Sequence, residues 1–251
     1  MPVNYLRHLS SRERSPLANR QLGRNLAFIA GAANAGGFLA VAEYTSHMTG
    51  IVSAIADNLA LGQFVLALAG LVSVLSFVGG AMLCAWLVNW GRSRELKSEY
   101  ALPLMLEALL MLGFGVLGSR IQEQVAFYVP YTVLLLCFMM GLQNAIITKI
   151  SRAEIRTTHV TGLVTDVGIE LGRLLYWQTH PVTGELREEN RQRLQLHASL
   201  VALFFVGGVA GALGFKHIGF LASLPLAFWL MLLSVVPLLD DMTGRWRAPH
   251  S

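Results

Sequence analysis

His47 and His159 each stand in a His-x-Thr-Gly string, within Ser46-His47-Met48-Thr49-Gly50 and Thr158-His159-Val160-Thr161-Gly162. An imidazole titrates near neutral pH, so at membrane depth it can relay a proton or pair with an anionic group. The glycine can accept positive φ, and the threonine hydroxyl can cap a helix that begins there. Such a helix start adds unpaired N–H groups facing any bound anion. The plainer alternative is structural, with threonines that only cap and histidines that only pack.

Upstream of each string lies Phe-x-x-Gly-x-x-Asn-Ala, as Phe28, Gly31, Asn34 and Ala35 and again as Phe138, Gly141, Asn144 and Ala145, offset by 110 residues. The histidine strings repeat at an offset of 112. Two ordered polar blocks at nearly one offset indicate internal duplication. A buried amide must find partners, so Asn34 and Asn144 either join helices or line a polar cavity. The ligand-binding candidates are therefore Asn34, His47, Thr49, Gly50, Asn144, His159, Thr161 and Gly162.

Among the acids, Glu107 lies deep in an apolar run, where a bare charge is costly and a partner or a proton is required. Asp166, Glu170 and Arg173 share one helical face, which reads as the solvated side of an interfacial helix. Asp57 and Asp166 do not align in the repeat. Glu107 and Asp166 are the proton-coupling candidates. No phosphate-binding loop, His-Glu-x-x-His, Gly-x-Ser-x-Gly or Cys-x-x-Cys occurs, so neither ATP hydrolysis nor zinc proteolysis is expected. The chain reads as a non-enzyme with no catalytic residue, metal or cofactor. Cys84 and Cys137 sit in apolar runs and read as packing residues rather than a disulfide framework.

These residues need elements to position them, and composition says which. The chain is 54% hydrophobic and 14% charged, far below the roughly one-quarter charged residues of a soluble domain. Its apolar residues gather into six runs of about membrane length: Leu26 to Ala42, Phe64 to Trp90, Ala101 to Gly118, Val125 to Ile147, Leu196 to Phe215 and Ile218 to Leu239. An all-α transmembrane bundle follows. Seventeen of the nineteen basic residues fall in alternate connections, which places both termini in the cytoplasm. The pI of 9.3 reflects this orientation and not nucleic-acid binding, because no basic stripe interleaves with aromatics.

The first run read alone resembles a signal peptide, but further spans follow it and a repeat block lies within it. Gly50 to Leu61 and Gly162 to Trp177 are helical in pattern yet short, and read as interfacial or re-entrant half-helices; full crossings would make eight spans. The organisation is a basic tail over 1–23 that can touch anionic headgroups, a unit over 24–120, a second over 121–240 and a tail over 241–251. Trp177 to Gln195 reads as a solvated connection entering a helix. With three spans per unit, the second unit enters the bilayer upside down. The histidine strings then approach from opposite faces and can meet near the midplane.

The His-Met-Thr-Gly block after a Gly-x-x-Asn-Ala span, with the later His-Val-Thr-Gly, resembles the YoaK-like family of bacterial inner-membrane proteins from about Gln21 to Leu239. Where that family commonly has Asn after the first Gly, this chain has Ile51, and Ala33-Asn34 stand where an Asp is often found. The resemblance implies a bacterial cytoplasmic-membrane address and, since the family is largely a domain of unknown function, little about activity. The architecture suggests a secondary transporter or facilitator of a small solute, its units rocking about the repeated polar residues. A membrane-embedded enzyme on a lipid or polyprenyl substrate and a non-catalytic scaffold are the alternatives. The partners expected are membrane lipids and an unidentified small solute.

Overall fold

A computed structural model describes residues 16–41, 44–96, 98–121, 124–151, 159–180 and 182–242. Thr158 and most basic residues of the two tails lie outside them. Among the described residues the chain is helical throughout, as α1 (Pro16–Val41), α2 (Met48–Ala60), α3 (Phe64–Ser93), α4 (Ala101–Ser119), α5 (Val125–Ile150), α6 (Val160–Tyr176), α7 (Gly184–Ile218) and α8 (Ser223–Met242). A short 3-10 turn, Gly219–Ala222, joins the last two, and Gly219 makes the bend at φ +61.

Four stretches are long and apolar enough to cross a membrane: Phe64–Ser93, Ala101–Ser119, Phe127–Ile150 and Gly184–Leu239. The last contains both α7 and α8, so these stretches cover every expected span except the first. In α1 the polar Arg20, Arg24, Asn25 and Asn34 dilute the apolar residues. That helix also starts at Pro16, ten residues before the apolar run, with proline at a terminus where its missing N–H costs nothing. Ala18 and Leu22 are buried there, so the basic tail passes into packed helix before residue 24. Much of the outward surface of α3 is apolar, with Val65, Leu68, Leu75, Met82 and Trp86 exposed as on a lipid-facing helix.

The helices pair across the two halves. α1 lies along α7 and α3 along α5; α6 lies on α7 and α2 on α3; α4 packs on α8. Two three-helix groups result, α1–α6–α7 and α5–α2–α3, each holding helices from both sides of residue 120. They meet through a smaller α1–α5 contact, where Gln143 Nε2 donates to Leu26 O at 3.3 Å and Asn19 Nδ2 to Ile150 O at 3.3 Å.

Glycine governs both long pairings. A Cβ on Gly31 would run into Phe204 O, and one on Gly207 into Phe28 O. In the other group a Cβ on Gly141 would meet Phe77 O and one on Gly80 would meet Phe138 O. Each glycine closes a Phe-x-x-Gly string, and each string presents its phenylalanine carbonyl to the glycine of its partner. Such crossings bring backbones close enough for Cα–H···O contacts, the usual role of small residues where lipid offers no hydrophobic drive.

The short helices hold two corrections. Thr49 and Thr161 are not caps: the N-cap positions are His47 and His159, and neither makes a side-chain cap bond. Gly50 and Gly162 do not adopt positive φ, which among the described glycines only Gly62 and Gly219 do. Gly50 instead leaves room beside the helix for an imidazole, since a Cβ there would come within 2.8 Å of His47 Nδ1. Gly62 ends α2 at φ +72, as read from sequence, but Gly172 lies inside α6 and ends nothing.

Candidate functional site

α1 and α5 carry an asparagine one turn beyond the crossing glycine, because Gly31 to Asn34 and Gly141 to Asn144 are each three residues. Both asparagines are half-buried, within matching patterns of buried neighbours. Beyond them the chain turns back, and α2 and α6 begin at His47 and His159. Neither helix spends a side chain on its first N–H groups, so these donors remain free for another partner.

These pieces converge on one cavity of about 730 Å³ between the two helix groups. From α1, α6 and α7 it receives Asn34, His159, Val160, Thr161 and Phe204. From α2, α3 and α5 it receives Met48, Thr49, Phe77, Asn144 and Thr148, while Tyr44, Ser46 and His47 border it from the turn before α2. Ser46 Oγ donates to Asn34 Oδ1 at 2.8 Å, which orients the amide towards the turn. Tyr44 stacks on Phe38 with ring centroids 4.6 Å apart. The size falls in the range of small-molecule sites, and the wall mixes apolar surface with a few polar groups, as such sites do.

Of the candidates named from sequence, Asn34, His47, Thr49, Asn144, His159 and Thr161 line this cavity. Gly50 borders a second, largely apolar cavity of about 740 Å³ on the far side of α2, which His47 and Tyr44 also line. Gly162 sits in the first turn of α6 and lines neither. Glu107 is away from both: it is fully buried on α4, and both carboxyl oxygens lack a partner among the described residues. Asp166 is half-buried on α6 and also outside the lining.

The trio assigned to a solvated face divides. Arg173 is exposed, but Glu170 is buried and binds His197 of α7 at 2.9 Å, because α6 packs that face against α7 and not against water. Sequence reasoning also passed over Phe77 and Phe204. Their signal was present, since Phe77-x-x-Gly80 and Phe204-x-x-Gly207 repeat the string of α1 and α5 at an offset of 127. Tyr44, Ser46 and Thr148 carried no such mark.

The model of one family covers residues 22–236 and is described as a protein of unknown function (DUF1275). The chain belongs to the DUF1275 family. The match takes in every helix that lines the cavity, and the YoaK-like resemblance agrees with it. No curated protein and no solved structure matches the chain. The DUF1275 assignment therefore names a membrane-like helical family without an activity, and the cavity is where the functional argument must start.

Proposed function

We propose that this DUF1275 protein is a secondary transporter or facilitator of a small solute, bound in the cavity of Asn34, His47, Thr49, Asn144, His159 and Thr161. The observation that carries the reading is convergence: two sequence blocks 110 to 112 residues apart deliver the same polar groups to one cavity. The lining includes no carboxylate, lysine or arginine among the described residues, so imidazoles, amides and helix N-termini favour a neutral or anionic solute over a cation.

In this reading the chain is an inverted repeat of three spans plus a half-helix in each unit, six spans in all, within the bacterial cytoplasmic membrane and with both termini inside. The reciprocal Phe-x-x-Gly crossings support it, because only a two-fold relation exchanges α1 with α5 and α3 with α7 together. The moving bodies are then not the sequential units but the exchanged groups α1–α6–α7 and α5–α2–α3. Each unit gives helices to both, and the solute site lies where the groups meet.

Reconstituted protein tests this by solute counterflow after a thermal-shift screen for stabilising ligands, since a ligand must stabilise the state it binds. His47→Ala and His159→Ala are expected to fold and to lose binding by about tenfold or more, about 1.4 kcal/mol per tenfold. Retained binding in both refutes the site. For topology, Gln63→Cys and Gln178→Cys, both exposed at the ends of α2 and α6, are expected to label from opposite faces of the membrane. Labelling from one face refutes the inversion.

A further inference from the structure

Glu170 and His197 form a buried titratable pair outside the cavity. Glu170 is 4% exposed and His197 9%, and Oε1 of the acid lies 2.9 Å from Nδ1 of the imidazole. The other carboxyl oxygen, Oε2, is buried without a partner. Asn190 Nδ2 donates to the Glu170 carbonyl at 3.0 Å, and its own Oδ1 is likewise buried and unpartnered. The pair therefore has one bond between its members and spare acceptor capacity around it, in a place sealed from bulk water.

Its position fits proton exchange. In α7, residues 184–193 are almost all exposed and carry Glu185, Arg187, Glu188, Glu189, Arg191 and Arg193, whereas the apolar stretch starts at Leu196. His197 sits at that boundary, one turn inside the wetted segment. Glu170 lies eleven residues along α6 from His159, about 16 Å at the helical rise. A change in how α6 rests on α7 thus reaches the cavity wall.

The other charged groups of the packed elements are committed or separate. On α6, one turn to either side, stand the half-buried Asp166 and the exposed Arg173. On α7, Arg193 is held by Glu189 at 2.7 Å. On α1, Arg24 Nε donates to Ser199 Oγ at 2.9 Å, and Arg20 lies a turn earlier. None of them makes an ion pair with Glu170 or His197 among the described residues. The first half has no equivalent, since Asn58 stands opposite Glu170 at the 112-residue offset and Gly70 opposite His197 at 127. There a small residue meets Ile55, and the α2–α3 contact does not titrate.

We infer that Glu170 and His197 form a proton-binding site that holds α6 on α7 when it carries one proton and releases it when it carries two. With one proton the pair is net neutral, whether written as carboxylate with imidazolium or as acid with imidazole. A second proton neutralises the carboxylate and leaves a buried imidazolium without a counter-charge, which is strongly unfavourable. Separation of α6 from α7 lets water reach the cation. Proton loading from the charged end of α7 is thereby coupled to the cavity; the coupling to a solute rests on the transport reading, but the proton site itself does not.

The experiment uses the full chain in lipid nanodiscs with no solute added. Amide exchange of α6, corrected for intrinsic rates, is followed between about pH 8 and 5, where histidine changes charge. In the wild type, exchange in α6 is expected to rise roughly tenfold or more on acidification, relative to the α3–α5 pair. Glu170→Gln keeps an oxygen to accept from the imidazole but removes its counter-charge, so the rise is expected to begin at higher pH. The double variant Glu170→Gln/His197→Gln removes both titrating groups and is expected to show no rise. A flat wild-type profile, or a double variant that follows pH as the wild type does, overturns the site. Either result leaves the cavity reading to its own binding test, and loss of that reading leaves this profile unchanged.

Discussion

If the Phe-x-x-Gly crossings set the approach of the two helix pairs, one added methyl at a crossing glycine should force a pair apart. In Gly31→Ala the new carbon meets the Phe204 carbonyl oxygen, and in Gly141→Ala it meets that of Phe77. Both fall well inside the ~3.3 Å at which carbon and oxygen normally touch. The obstacle is backbone in a regular helix, so no rotamer change relieves it. The cost belongs at the upper end of overpacking, on the order of 3 kcal/mol, or roughly 10 °C in melting temperature for a chain of this size. Gly168→Ala and Gly172→Ala serve as controls, because nothing lies within 4 Å of a Cβ at either position. Each should gain up to about 1 kcal/mol from helix propensity. Cys84 and Cys137 are free and buried, so a thiol-reactive fluorophore reports unfolding without any engineered label. Crossing variants that melt within about 1 °C of the wild type refute the reasoning, since a contact worth so little could not hold the pairs in register.

Two further outcomes follow from buried acids. Glu107 is buried with both oxygens unpartnered, so Glu107→Met should raise the melting temperature by a few degrees, an apolar side chain of similar size replacing a desolvated acid; a lower melting point would mean the carboxyl has a partner in the folded state. Glu99 is buried and held in a two-pronged pair by Arg92, with bonds of 3.1 and 3.0 Å. Arg92→Ala strands that carboxylate and should cost about 1–3 kcal/mol, with part recovered in Arg92→Ala/Glu99→Ala; the same dye-based melts check both.

The sequence by itself determined the all-helical membrane-like class, the two short helices and six of the cavity-lining residues. Apolar runs of bilayer length leave helices as the economical way to satisfy the backbone, and polar residues repeated in order within such runs stand out against their surroundings. Only the tertiary structure decided which helices pair. Gly31 meets Phe204 from 173 residues away, and local periodicity carries no information about a partner at that distance. The same limit hid the fate of Glu170, whose spacing with Asp166 and Arg173 describes a polar face equally well against water or against His197. Helical spacing says which side chains share a face. What that face meets depends on the packing of another helix, and here α7 turned a solvated stripe into a buried acid–imidazole pair.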